Sequence, residues 1–173
     1  MVQAVDGKTL AAMLIHASAS LDAEKQKINE LNVFPVPDGD TGTNMSLTIG
    51  TAAAELRQKN PATVGQATAL CASAMLRGAR GNSGVILSLI FRGFSRAMKD
   101  KDTMDGIDLA DAINAGVIAA YRAVMKPAEG TLLTVSRLAG DRAGRAAEEN
   151  TAFEYVLASA IDRAREALAD TIH

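Results

Sequence analysis

Two carboxylates one residue apart, Asp38 and Asp40, close the unusual stretch Asn32-Val33-Phe34-Pro35-Val36-Pro37-Asp38-Gly39-Asp40. In a loop stiffened by Pro35 and Pro37, with Gly39 permitting a tight bend, they can converge on a hard cation. Magnesium prefers oxygen ligands and usually keeps waters and substrate phosphates in its shell, so two acidic residues with few other protein ligands suit it. Val33, Phe34 and Val36 are expected to anchor the loop on the core. A calcium loop beginning at Asp38 would need Gly at its sixth position and Glu at its twelfth. Thr43 and Ile49 stand there instead. Zinc is disfavoured because His16 and His173 are the only histidines and lie far apart in sequence. The plainer alternative is a solvated acidic turn with Asp as a helix cap.

Three breaks in the chain end alike, in Gly and small polar residues followed by a helix. They read Asp40-Thr41-Gly42-Thr43-Asn44, Arg80-Gly81-Asn82-Ser83-Gly84 and Glu129-Gly130-Thr131. A helix start leaves backbone N–H groups unpaired and carries partial positive charge. Glycine lets a bulky anion approach the backbone, and Thr, Asn and Ser add donors, so phosphates can be held without a lysine. Each break taken alone reads more readily as an ordinary cap and loop. The first differs by its carboxylates.

Positioning these groups falls to helices. Apolar residues recur with helical period over Lys8–Glu30, Asn44–Lys59, Val64–Leu76, Val85–Ala97 and Ile107–Met125, then from Thr131 and over Ala152–Ala169. No Val/Ile/Thr-rich run alternates in the period of two, so no strand is expected, and Lys99–Gly106 reads as a charged loop. The 173 residues form one all-α domain, a bundle of seven or eight helices. Its core is aliphatic: 48% of residues are hydrophobic but only 3% aromatic, with no Trp. A net charge of -2 offers no surplus for nucleic acid. No run approaches the ~20 apolar residues of a membrane span, and no signal peptide is seen. The single Cys71 cannot form an internal disulfide; it fits the cytoplasm and reads as a buried, inert thiol. No Gly-x-x-x-x-Gly-Lys-Ser/Thr loop and no protein-kinase triplet occurs.

The stretch Asn32–Met45 resembles the signature of bacterial fatty acid kinase ATP-binding subunits, within the dihydroxyacetone kinase nucleotide-binding (DAK2, DhaL-like) family. Arg77-Gly78-Ala79-Arg80-Gly81-Asn82-Ser83-Gly84 and Lys126–Val135 support the resemblance, which runs over essentially the whole chain. It implies an antiparallel eight-helix bundle, or α-barrel, with ATP or ADP at one end and two magnesium ions between the acidic loop and the phosphates. Asp38 and Asp40 match metal-binding aspartates with a catalytic role. Asn32 is the nearest counterpart of a third aspartate in the dihydroxyacetone kinase branch, shifted by one residue. Thr41, Gly42, Thr43 and Asn44 match phosphate contacts. Asn82 and Ser83 stand where that branch has a pair of serines near the phosphates, and Gly84 beside them is counted with the nucleotide-binding residues. Gly130, Thr131 and Leu132 fall where the family lines the nucleotide pocket. Family members continue with a Gly-rich cover and further domains, so this single kinase domain, residues 1–173, is expected to be an N-terminal fragment of a longer protein.

The activity implied is transfer of the γ-phosphate of ATP to a fatty acid carboxylate presented by a fatty-acid-binding partner protein, giving an acyl phosphate for lipid metabolism. A carboxylate is already ionised near neutral pH, so no general base is needed. That agrees with the lack of histidine near any motif. Arg77 and Arg80 can counter phosphate charge or simply serve the surface. The alternatives are a dihydroxyacetone kinase nucleotide subunit, against which Asn32 and Phe34–Pro37 argue, and a regulatory nucleotide-binding domain without turnover. The apolar fraction leaves room for a homodimer surface.

Overall fold

The computed structural model describes residues 1–32 and 37–171. The chain runs β1 (Ala4–Asp6), α1 (Gly7–Glu30), α2 (Thr41–Lys59), α3 (Val64–Gly78), α4 (Gly81–Ala97), β2 (Thr103–Asp105), α5 (Gly106–Ala123), α6 (Leu132–Glu149) and α7 (Phe153–Asp170). The architecture is all-α, as the periodicity requires, with seven helices among the described residues where the resemblance implies eight. Each of the seven apolar-periodic segments forms its helix. The helices alternate in direction, as the contacts between neighbours record. Asp22 bonds Ser46 and Asn29 bonds Thr43 across α1 and α2; Asn114 bonds Gly140 and Arg137 bonds Tyr121 across α5 and α6. The starts of α2, α4 and α6 therefore lie at one end of the bundle, and those of α1, α3, α5 and α7 at the other.

The two strands correct the expectation of none. They pair antiparallel, with Val5 opposite Met104. Both of these side chains are buried, while the flanking residues are more exposed. Three residues are too few to show a period. The strands exist because Val5 and Met104 close the base of the core, burial worth ~2 kcal/mol per side chain. A sequence signal was there: an apolar residue followed by Asp-Gly precedes a helix twice, at Val5-Asp6-Gly7 and Met104-Asp105-Gly106. In each case the Asp caps the helix, and a Cβ on the Gly would strike a neighbouring backbone, at Thr63 or at Thr151 and Ala152.

Most large buried side chains gather at this end: Leu10, Leu56, Val64, Met98, Met104, Leu109, Phe153 and Val156. A smaller cluster of Ala52, Cys71, Ala74 and Met75 continues towards the middle. All four helix starts here have most of their first-turn N–H groups satisfied by protein. Asp6 accepts from the Thr9 N–H at 2.8 Å. Thr63 and Asp105 each form reciprocal capping boxes, with Gln66 and Asp108. The N–H groups of Phe153 and Glu154 donate to the carbonyls of Gln3 and Val2.

Candidate functional site

The opposite end is built differently. α2 begins after Asp40 and α4 after Arg80, and neither of these residues caps its helix with its own side chain. Each helix also starts earlier than its apolar period, at Thr41 rather than Asn44 and at Gly81 rather than Val85. A first turn needs neither an apolar face nor intrahelical partners for its N–H groups, so hydrophobic periodicity cannot locate it. As a result Thr41, Gly42, Thr43 and Asn44 all lie in the first turn of α2, and Asn82, Ser83 and Gly84 in that of α4.

The structure brings these two starts together. The Arg80 N–H donates to Thr48 Oγ1 at 3.1 Å, and the Thr48 hydroxyl donates to the Asn44 carbonyl at 2.7 Å. Gly81, at φ +64°, faces the Asn44 side chain, and a Cβ there would meet its Cγ at 3.0 Å. Gly84 is buried against the Thr48 hydroxyl. The third start, that of α6, lies at the same end, linked through α5. Its loop is stitched internally: the Thr134 hydroxyl oxygen accepts from the Gly130 N–H at 2.9 Å and the Thr131 N–H at 3.4 Å, and its proton goes to Glu129 at 3.2 Å. Arg137 binds the same Glu129 oxygen at 3.0 Å and Tyr121 at 3.3 Å. Leu132 is half-buried at the first position of α6.

The acidic loop stands directly before α2. Asp38 is exposed and accepts a hydrogen bond from Asn32 Nδ2 at 3.1 Å. The other end of the Asn32 amide accepts from the Thr41 hydroxyl. A carboxylate can only accept, so the amide nitrogen, not the oxygen, must face Asp38. Asn32 thus ties the loop to the start of α2. Asp40 is half-buried and its side chain forms no cap. Gly39, at φ +68°, provides the bend between the two aspartates. Among the described residues no group of three or more His, Cys, Asp or Glu could hold a metal ion. Two carboxylate-bearing residues fit a cation that keeps waters and phosphate oxygens, which is the habit of magnesium, and do not fit zinc or a full calcium cage. The anchoring expected of Val33, Phe34 and Val36, the stiffening by Pro35, and the position of His173 lie outside the described residues.

Some groups stand apart from the site. Arg77 pairs with Glu55 and bonds Ser73 at 2.5 Å in a surface groove between α2 and α3, so its charge is engaged there. His16 is exposed on α1, far from the loop in the helix. Two residues that sequence reasoning passed over hold the α1–α2 seam. Asp22 accepts from Ser46 at 2.9 Å, and hydrogen bonds from Lys25 and then Ser46 keep its carboxyl below the ordinary value. Asn29 bonds the Thr43 N–H and hydroxyl with the two ends of its amide. An Asn near the end of a helix reads as an ordinary terminus, and its partner 14 residues away has no local signal.

Comparison with known proteins places the chain in a family. The DAK2 domain profile matches residues 35–173. The chain belongs to the DAK2 domain family. This domain is the ATP-binding module of DhaL-like kinases and is typical of kinase ATP-binding subunits, which use ATP with magnesium. Protein YloV of Bacillus subtilis is 41% identical over 167 residues, 96% of this chain and 30% of the relative. Protein SSP1546 of Staphylococcus saprophyticus is 42% identical over 171 residues, 99% of this chain and 31% of the relative. The chain thus spans about a third of the length of these relatives. No helix among the described residues of this DAK2 domain is long and apolar enough to cross a membrane.

Proposed function

We propose that this DAK2 domain binds magnesium–ATP at the adjoining starts of α2 and α4 and donates the γ-phosphate to a fatty acid carboxylate carried by a separate fatty-acid-binding protein. One observation carries the nucleotide half of this reading. At the far end protein groups take up most first-turn N–H groups of the four helix starts. At α2 and α4, which begin next to each other and next to Asp38 and Asp40, only the Thr43 N–H of the first three in either helix has a partner among the described residues, Asn29. Open N–H groups and the helix dipoles suit a polyphosphate. The fatty acid half rests on the likeness of Asn32–Met45 to fatty acid kinase subunits.

In this reading Asp38 and Asp40 would hold magnesium, two ions by the family resemblance, and the metal would supply charge neutralisation for the phosphate chain. For Asn32 to serve as a further ligand, its Oδ1 would have to release the Thr41 hydroxyl. The first turns of α2 and α4, with Thr41–Asn44 and Asn82–Gly84, orient the phosphates. Gly130, Thr131 and Leu132 at the start of α6 border the nucleoside. A carboxylate oxygen of the acyl chain attacks the γ-phosphorus, the bond from phosphorus to the β–γ bridging oxygen breaks, and ADP and an acyl phosphate leave. The nucleophile arrives ionised, so positioning and charge neutralisation suffice and no base is required. No histidine need stand at the site.

The test is calorimetric titration of ADP with and without magnesium, followed by ATP consumption with a fatty-acid-loaded partner. Tight, magnesium-dependent binding that Asp38→Ala and Asp40→Ala each weaken by at least tenfold is expected. Unchanged affinity in both variants would sink the nucleotide reading. ATP turnover with dihydroxyacetone but not with a loaded acyl partner would move the acceptor to the dihydroxyacetone kinase branch.

A further inference from the structure

Asn29, near the end of α1, reaches Thr43 in the first turn of α2 with both ends of its amide. Thr43 N–H donates to Asn29 Oδ1 at 3.0 Å, and Asn29 Nδ2 lies 2.8 Å from Thr43 Oγ1. The polarity of this pair is forced. A backbone N–H can only donate, so the amide atom facing it must be the oxygen. The other end is then NH2, which also can only donate, so the Thr43 hydroxyl oxygen accepts. Its proton is left for something else, and no acceptor for it occurs among the described residues. Thr41 is the opposite case, since its hydroxyl proton is already given to Asn32. Two threonines in one helix turn are therefore set differently by two asparagines of α1 and the segment after it.

The seam leaves little freedom for this arrangement to change. Both residues are half-buried. Gly42 is buried beside them, where a Cβ would meet Asn29 Oδ1 at 3.0 Å and the Lys25 carbonyl carbon at 2.9 Å. The Asn29 amide also takes up the Thr43 N–H and leaves the Thr43 hydroxyl as a donor in its place.

We infer that Asn29 is a positioning residue that presents the Thr43 hydroxyl as a hydrogen-bond donor to the phosphate chain. The inference rests on the nucleotide reading of the site and deepens it. Asn29 touches no phosphate; it acts through Thr43, and Thr43 rather than Thr41 is the hydroxyl donor of α2.

A double-mutant cycle on magnesium–ADP affinity, measured by calorimetry beside thermal midpoints, tests this. Thr43→Ala should weaken binding by about tenfold or more, as for a lost hydrogen bond to a charged group. Thr43→Ser should restore most of it. Asn29→Ala should cost about fivefold in the native background but less than about twofold once Thr43 is Ala, because the hydroxyl it orients is gone. If Asn29→Ala does not fold, Asn29→Asp takes its place. The carboxylate still accepts from the Thr43 N–H but turns the hydroxyl proton inward, so binding should fall at least to the Thr43→Ala level, and adding Thr43→Ala should then cost little. Losses that add in full, with midpoints falling in parallel, would mean a merely structural role and overturn the inference alone. A native chain that binds no nucleotide would overturn the reading of the site, and the inference with it.

Discussion

Substituting Gly42 by Ala should damage both stability and nucleotide binding, for a reason that can be worked from the packing. A Cβ at position 42 would fall on the Lys25 carbonyl oxygen, 2.9 Å from its carbon and 3.0 Å from Asn29 Oδ1. Ordinary carbon–carbon contact is about 3.5–4.0 Å. The nearest obstacle is the backbone of α1, which cannot rotate aside as a side chain would, so α1 and α2 must separate at the site. Overpacking of this kind costs about 1–3 kcal/mol. Stretching the Asn29–Thr43 bonds adds roughly 1 kcal/mol, and the helix preference for Ala over Gly returns up to ~1 kcal/mol. The net loss is about 2 kcal/mol, or about 4–8 °C in thermal midpoint for a chain of this size. Gly50 is the internal control: it lies in the same helix with nothing within 4 Å of its would-be Cβ. Gly50→Ala should therefore stabilise by about 0.5–1 kcal/mol. Urea unfolding followed by circular dichroism measures both, and ADP titration reads the site. If Gly42→Ala were as stable as Gly50→Ala, the close approach of α1 and α2 and the placement of the site that depends on it would be refuted.

Two further outcomes follow from titratable groups. Burial pushes the Cys71 thiol up to about 12, so it should resist a thiol reagent in the native chain at pH 8 and react only as fast as the chain unfolds. Rapid native labelling would contradict its burial between α2, α3 and α4. Hydrogen bonds from Arg142 and then Tyr155 hold the Glu149 carboxyl down at about 2, against an ordinary 4.5. A depressed carboxyl stabilises the fold above its unfolded value and loses that contribution as pH falls towards the folded one. The urea midpoint of the native chain should thus exceed that of Glu149→Gln at pH 6, and the gap should close between about pH 5 and pH 2. A gap that is constant over this range would show that the ion pair does not set it.

The helices were legible because each buries a stripe long enough to repeat. α1 carries Leu10, Met13 and Leu14, and α5 carries Leu109, Ala110, Ala112 and Val117, over several turns each. The acidic loop was legible for a different reason: Asp-Gly-Asp after two prolines is a local chemical pattern and needs no partner to be seen. The strands were not legible by period, since Val5 and Met104 are one buried residue each and find each other only across 99 positions of chain. Nor was Asn29, whose role exists only once α2 folds back along α1.

From sequence alone came seven amphipathic helices, three Gly-rich breaks at their starts, and carboxylates at one of them. Those are properties of neighbouring residues, fixed by period, backbone freedom and charge. Tertiary structure decided which breaks meet. It set the starts of α2 and α4 side by side through Thr48, while before α6 the Gly130 and Thr131 N–H groups are taken by Thr134. It also decided which hydroxyl protons are already used, giving that of Thr41 to Asn32 and leaving that of Thr43 open. Hydrogen-bond direction depends on which atom faces which, and only the packed helices bring those atoms together.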